Sequence, residues 1–450
     1  MPEGYKAFGP AFARSQATPE IGFLEGQDLP EFIRSPGRAV PRFRFWHNSV
    51  VRYPNIAQSG GMCYFCIMDQ FPEKLRAMLN RRREEDSLRT LSAPSNLADF
   101  SSNDYLGLAQ LPPTPDNGAS GSAGSRLIRG NHQGYPEAEA VVARFHHAES
   151  ALVYTSGYDA NLGLLSSVAL RSDVVFYDAL SHASIRDGVR LSQARSFSFE
   201  HNSIPALEKR YRQVFRQGRP EGCEVYIVSE TVFSMEGDLA PVEALLEFCR
   251  TYTCRLILDE AHAVGVLGPD GRGLAAELGS NGELFARVVT FGKALGCHGA
   301  AVLGGSSLRD YLVNLSRRLI YTTALPPGSL AQIGRAYAHL ESGEGRKRME
   351  ALQANIRTMA RGIQAAGLQE RFTGGASAVF GFTVGGNRPT RRLAREMADS
   401  GFDIRPILSP TVPPGRECLR ICLHSFNTPA EIQGVLRILE TRVTQPANEQ

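Results

Sequence analysis

The chain has 450 residues, enough for a large buried core, two folded parts and extensions. Its 42% hydrophobic and 21% charged content is that of a globular protein, and a net charge of +3 leaves no footprint for nucleic acid or a membrane surface. No apolar run approaches a membrane span, and without a secretory signal the expected compartment is the cytoplasm.

Residues 1–67 are rich in Pro, Gly and Arg, hold the only tryptophan (Trp46), and show no sustained period. They read as a poorly ordered extension. Glu3, Glu20, Glu25, Asp28 and Glu31 argue against a transit peptide. Met68 opens a helical pattern, MDQFPEKLRAMLNRRREE, so residues 68–114 form an N-terminal helix and arm. The cysteines are scattered and read as reduced thiols. Cys63 and Cys66 have CxxC spacing but no second pair nearby, so no metal is expected. His146 and His147 lie on an expected helix without an HExxH pattern and read as packed or solvated.

Residues 115–334 alternate between helix and strand patterns. Helices are expected at 137–149 and 158–170, and strands at 151–155, 174–177, 225–229, 255–258, 288–291 and 300–303. That alternation indicates a largely parallel, doubly wound sheet covered on both faces. Residues 335–445 form a smaller α+β unit. It begins with a long helical pattern, followed by a strand at 378–384, a helix at 390–400 and a strand at 418–424. Thr428-Pro429-Ala430-Glu431 is a capping box opening a last helix to about residue 443.

Two residues carry the chemistry. Asp259 closes the apolar run RLILD, at the strand end where open α/β sheets bind ligands. A helix N-cap or a core ion pair would also place a carboxylate there. Lys293 follows the run VVTFG among small residues, where its amine is desolvated and its pKa lowered. Together they suit pyridoxal phosphate: the amine holds the cofactor as a Schiff base and the carboxylate keeps the pyridine nitrogen protonated. DEAH at 259–262 also occurs in helicases, but that reading needs GxxxxGK[ST]. Here Ala294 follows Gly292-Lys293, and Arg287 stands where the first glycine belongs. Thr290 offers a hydroxyl to a phosphate. The amides of Gly157 and Tyr158, between a strand and a helix, offer backbone donors, though an ordinary strand–helix turn looks the same. Ser234 in ETVFSMEGD is placed to meet a cofactor ring or to serve a turn.

With these residues in view, positions 68–445 resemble the α-oxoamine synthase family of pyridoxal-phosphate enzymes, of the aspartate-aminotransferase fold type (fold type I). The matching segments are FSSNDYLGL, GSAGSRLIRG, YTSGYDAN, LSHASIRDGVRLS, ETVFSMEGD, LDEAHAVGVLGPDGRG, TFGKALG and IYTTALPP, all in the family's order. The resemblance implies a large cofactor domain, a smaller C-terminal domain and a homodimer with shared active sites. It implies that Lys293 holds the cofactor and moves the Cα proton, and that Asp259 pairs with the ring nitrogen. His262 and Ser234 would meet the O3′ side of the ring. Gly157, Tyr158 and Thr290 would bind phosphate, and Thr323 would reach the neighbouring subunit's phosphate. Asn103 and Arg420 would hold the amino-acid carboxylate, and Arg405 and Thr411 would meet the acyl substrate. His182 matches a histidine near the cofactor. Tyr135 stands where the family has a histidine stacked on the pyridine; a phenol can stack but supplies no imidazole proton. IRPILSPTVP is two residues longer than in the best-known members.

The implied reaction is a decarboxylative condensation of an amino acid with an acyl thioester, on CoA or a carrier protein. GSAGSRLIRG and SPTVP resemble the members that join L-alanine to a pimeloyl chain. SGYDAN and SHASIRDGVRLS lean toward those that acetylate glycine. Long-chain (sphingoid-type) synthases and inactive scaffold subunits are further alternatives.

Overall fold

A computed structural model describes residues 71–91, 96–112, 119–276, 278 and 284–444. The expected extension 1–67, Met68 and the Cys63/Cys66 pair lie outside them. The first helix, α1 (Glu73–Glu84), starts directly after Pro72, which can precede a helix but not continue one. The chain then runs through a short strand, β1 (Ala98–Asp99), to α2 (Gly134–Phe145).

Seven strands form the main sheet: β2 (Ser150–Tyr154), β3 (Val174–Asp178), β4 (Arg195–Phe199), β5 (Val225–Glu230), β6 (Arg255–Asp259), β7 (Ala286–Thr290) and β8 (Ala300–Gly304). Their order is β2-β8-β7-β6-β5-β3-β4, and β8 alone runs against its neighbours. The expected mainly parallel sheet is present. Every residue of β5 and β7 is buried, as in strands covered on both faces.

Alternation along the strands divides the core. Val175, Val228 and Ile257 pack with Leu164 and Leu165 of α3 (Gly157–Val168) and with Ile185 and Val189 of α4 (Ala183–Leu191). Their strand neighbours Phe176, Ile227 and Leu258 point the other way. They pack with Leu207 of α5 (Ile204–Val214) and with Leu245 and Phe248 of α6 (Val242–Tyr252). β4 escaped the sequence reading because RSFSF is a short, mostly exposed edge strand with little apolar signal.

Beyond β8 come α7 (Ser306–Leu315), α8 (Arg317–Ile320), α9 (Pro327–Glu341) and α10 (Gly343–Ala365). Position 335 lies inside α9, and Ser342, whose side chain caps α10, separates the two helices. An antiparallel sheet then joins β9 (Phe372–Gly374), β10 (Val379–Thr383), β12 (Arg405–Ile407) and β13 (Cys418–Cys422) in the order β12-β13-β10-β9. α11 (Asn387–Asp399) crosses it, and β11 (Phe402–Asp403) pairs with β1 of the arm. The last helix, α12 (Pro429–Thr444), carries the expected capping box: Thr428 N donates to Glu431 Oε2 at 2.7 Å and Glu431 N to Thr428 Oγ1 at 3.3 Å.

The arm knits these layers together. Phe100, Tyr105 and Leu106 share one buried cluster with Phe291 and Leu295 beyond β7 and with Phe380, Leu419 and Ile421 of the smaller sheet. The helix expected over 137–149 ends at Phe145, because His146 turns inward: Nδ1 contacts the Arg272 carbonyl at 3.0 Å and Nε2 contacts Tyr337 Oη at 2.9 Å.

Candidate active site

The C-terminal ends of β2, β3, β5, β6 and β7 lead into Gly157, His182, Ser234, Asp259 and Lys293 in turn. Parallel strands bring these distant segments to one edge of the sheet, where loops are free to carry ligands. Asp259 is buried, with Ala261 N donating to Oδ1 at 2.9 Å and Asn161 Nδ2 donating to Oδ2 at 2.7 Å. Desolvation pushes the Lys293 amine down to about 8, against the opposing pull of Asp259 and Glu230. An amine near that value is uncharged often enough to attack an aldehyde.

The N-terminus of α3 faces Thr290. A β-carbon on Gly157 would lie 3.3 Å from Thr290 Oγ1, so the glycine keeps that approach open. The first-turn amides of Gly157 and Tyr158 have no intrahelical acceptor, and Ser156 Oγ satisfies only Asp159 N, at 3.1 Å. Two free amides, a helix dipole and a hydroxyl form a phosphate cradle. An aldehyde-capturing amine, a ring-nitrogen carboxylate and this cradle lie at one sheet edge, and the set fits pyridoxal phosphate.

A second group gathers around Arg420. Its Nη2 donates to Asn103 Oδ1 at 3.1 Å, and its Nε donates to the Ser234 carbonyl at 2.7 Å. Tyr105 Oη bridges Asn103 Oδ1 at 3.0 Å and His262 Nδ1 at 2.7 Å. Desolvation, then the positive fields of Lys293 and Arg420, hold His262 well below the usual histidine range, so its ring is neutral. His182 is exposed, and its ring meets Tyr158 edge-on at 6.4 Å. Tyr158 is tied through its hydroxyl to Asp187.

The other expected residues have the following surroundings. Tyr135 is 1% exposed, its hydroxyl accepts from Leu325 N at 2.6 Å, and Arg126 covers its ring at 4.0 Å. The backbone amide holds the phenol hydroxyl and the guanidinium covers one face of the ring. His132, its neighbour at 5.2 Å, contacts the Leu325 carbonyl through Nε2 at 3.3 Å. Arg405 is exposed, pairs with Asp403 at 3.0 Å, and lies beside Arg420 in the strand register. Thr411 is exposed and accepts from Arg89 of the arm at 2.8 Å. Thr323 is exposed and bridges to Ser125.

Sequence reasoning missed Tyr105, Asn161, Ser184 and Glu230. Asn161 was the most accessible of them: it stands one helical turn after Gly157, on the face that meets the site. Glu230 is buried beside Asp259 in the strand register, and desolvation, then the field of Asp259, raises its carboxyl well above the usual range. Among the described residues no cluster of His, Cys, Asp and Glu is arranged to hold a metal ion, and no helix is long and apolar enough to cross a membrane.

Comparison with known proteins agrees with this geometry. The chain matches aminotransferase class I and II over residues 95–439. It is 38% identical over 402 residues to the 8-amino-7-oxononanoate synthase of Emericella nidulans, covering 82% of this chain and 95% of that one. A serine palmitoyltransferase variant from S. paucimobilis, solved with a pyridoxal-phosphate–myriocin aldimine, superposes with a TM-score of 0.72 at 26% identity, over 85% of this chain and 99% of the other. The 8-amino-7-oxononanoate synthase of Francisella tularensis superposes with a TM-score of 0.63 at 27% identity, over 78% and 98%. The chain belongs to the aminotransferase class I and II family, and within it to the pyridoxal-phosphate-dependent acyltransferases called α-oxoamine synthases.

Proposed function

We propose that the chain condenses L-alanine with a pimeloyl thioester, with loss of CO2, to give 8-amino-7-oxononanoate for biotin synthesis, and that it works as a cytoplasmic homodimer. The observation that carries the reaction class is the convergence of Lys293, Asp259 and the Gly157–Thr290 cradle at one sheet edge. The substrate pair rests on relatives named for that product, such as the one from Emericella nidulans.

Bound pyridoxal phosphate supplies an electron sink that makes the amino-acid Cα–H acidic. Around it, each residue has a separate task. Lys293, with its lowered pKa, would hold the cofactor by its aldehyde carbon and could carry the Cα proton. Asp259 would keep a proton on the ring nitrogen, which would let the ring take up negative charge. The amides of Gly157 and Tyr158 and the Thr290 hydroxyl grip the phosphate. Arg420 and Asn103 would orient the amino-acid carboxylate, and neutral His262, positioned by Tyr105, would meet the oxygen side of the ring. Arg405 and Thr411, beside the arm, are the residues proposed for the acyl chain.

An apolar surface around Thr323 supports the homodimer. Leu127, Ile128 and Tyr321 are 53%, 85% and 71% exposed on the two segments joined by the Ser125–Thr323 bridge. Apolar side chains grouped this way mark contact surfaces.

Thiol release by cofactor-loaded protein tests the reading. L-alanine with pimeloyl-CoA is expected to outrun glycine with acetyl-CoA and L-serine with palmitoyl-CoA. Faster release with glycine and acetyl-CoA would make the chain an acetyltransferase. Faster release with the third pair would make it a sphingoid-type synthase.

A further inference from the structure

A chain of hydrogen bonds runs behind the site from Asp259 to His182. Asn161 Nδ2 donates to Asp259 Oδ2 at 2.7 Å and to Ser184 Oγ at 3.0 Å. Ser184 Oγ lies 2.8 Å from His182 Nδ1, and Ser184 N donates to the same nitrogen at 3.2 Å. All three bonds from the Asn161 and Ser184 side chains fall within buried or half-buried surroundings, with Asn161 and Ser184 at 2% and 1% exposure.

The direction of every bond in this chain follows from one group. A backbone N–H only donates, so His182 Nδ1 accepts and carries no proton. The Ser184 hydroxyl therefore gives its hydrogen to Nδ1, and its oxygen is left to accept from Asn161. The other Asn161 amide hydrogen goes to Asp259, where an amide oxygen would be repelled. A neutral imidazole with a bare Nδ1 has its hydrogen on Nε2. His182 Nε2 meets no protein partner among the described residues, and the ring is close enough to Asp259, Lys293 and His262 for their charges to act on one another. The backbone of His182 is held as well, its N donating to Glu230 Oε1 at 2.6 Å.

We propose that Asn161 is the positioning residue for both Asp259 and His182, and that through Ser184 it presents His182 to the cleft as an Nε2–H donor. His182 then serves an acceptor oxygen of the bound cofactor or substrate and is not the base that removes a proton. One amide thus sets the carboxylate that faces the ring nitrogen and the imidazole at the cleft's edge. The proposal rests on pyridoxal phosphate occupying this cleft.

The test is imidazole nitrogen NMR on cofactor-loaded protein, with the His182 signal identified by its loss in His182→Gln. The expected wild-type spectrum near neutral pH has an unprotonated Nδ1 and a protonated Nε2. Ser184→Ala is expected to mix the tautomers, and Ser184→Thr, which keeps the hydroxyl, to restore the wild-type pattern. Asn161→Ala is expected to weaken pyridoxal phosphate binding about tenfold or more through loss of a hydrogen bond to a charged group. It should also lower kcat while leaving KM for the thioester near its wild-type value. A protonated Nδ1 in the wild type would overturn the proposal, and that result does not depend on any variant folding. Unchanged cofactor affinity in Asn161→Ala, with an unchanged His182 signal, would also overturn it. Absence of thiol release with every substrate pair, alongside the expected His182 spectrum, would reject the proposed reaction and leave this inference standing.

Discussion

Arg420 and Asn103 stand 317 positions apart in the sequence and meet through a 3.1 Å hydrogen bond from Nη2 to Oδ1. The same guanidinium reaches the Ser234 carbonyl, so β13, the arm and the loop after β5 converge on one side chain. A planar, permanently charged fork suits a carboxylate better than a flexible ammonium does.

Arg420→Ala should therefore raise KM for the amino acid by about 10- to 100-fold, the equivalent of about 1.5–3 kcal/mol for a lost charged hydrogen bond. KM for the thioester should change less. Steady-state kinetics with each substrate varied in turn check this, and the reverse pattern would remove Arg420 from the amino-acid site.

Lys293 gives a pH prediction. Only the uncharged amine captures an aldehyde, and burial pushes this amine down to about 8. Capture of pyridoxal phosphate by protein stripped of it should accelerate about tenfold per pH unit below that value and level off above it. Stopped-flow absorbance would show the plateau. A rate still climbing toward the ordinary lysine range would mean the amine is not desolvated. Lys293→Ala should leave no cofactor attached after borohydride reduction.

The buried pair behind β6 is a stability element. Glu260 is 0% and Arg287 2% exposed, with Arg287 Nε donating to Glu260 Oε2 at 2.7 Å. Glu260 also accepts from Ala275 N at 2.9 Å, which holds the loop after Asp259. Glu260→Gln should cost about 3–5 kcal/mol, because it strands a buried guanidinium. Urea denaturation would read this as a lower midpoint, and Glu260→Leu combined with Arg287→Met should recover part of the loss.

His201 lies between two carboxylates, with Nδ1 2.9 Å from Asp178 Oδ1 and Nε2 2.9 Å from Asp238 Oδ2. Although burial opposes the charge, hydrogen bonds to the two aspartates raise the pKa to about 10. The unfolded value is near 6.5. A raised pKa contributes stability that is fully present below 6.5 and is lost as pH rises through about 10. Thermal melts of the wild type should fall across that window, and His201→Gln should flatten the slope. An unchanged slope in the variant would mean that His201 is not the group being titrated.

The parts legible in the sequence were those carried by local signals. Apolar runs bounded by polar residues located β5, β6 and β7, and the Thr428–Glu431 box located the start of α12 to the residue. β4 was not legible, because an exposed edge strand needs no apolar face. Tyr135 was named from spacing alone, and its hydrogen bond and ring contact were not legible there. Counting along a chain does not show that Leu325 N meets the phenol hydroxyl and that Arg126 covers the ring.

The sequence by itself determined the reaction chemistry. A lysine after one buried strand and an aspartate at the end of another are consequences of strand pattern, and short segments carry both. Only the tertiary structure decided how those groups are held. Asn161 on Asp259, Asn161 on Ser184, Tyr105 on His262 and Arg420 on Asn103 are hydrogen bonds between segments far apart in the chain. Such bonds depend on which strand ends the sheet order brings together and on which way each buried donor must point, and neither is written in the spacing of residues.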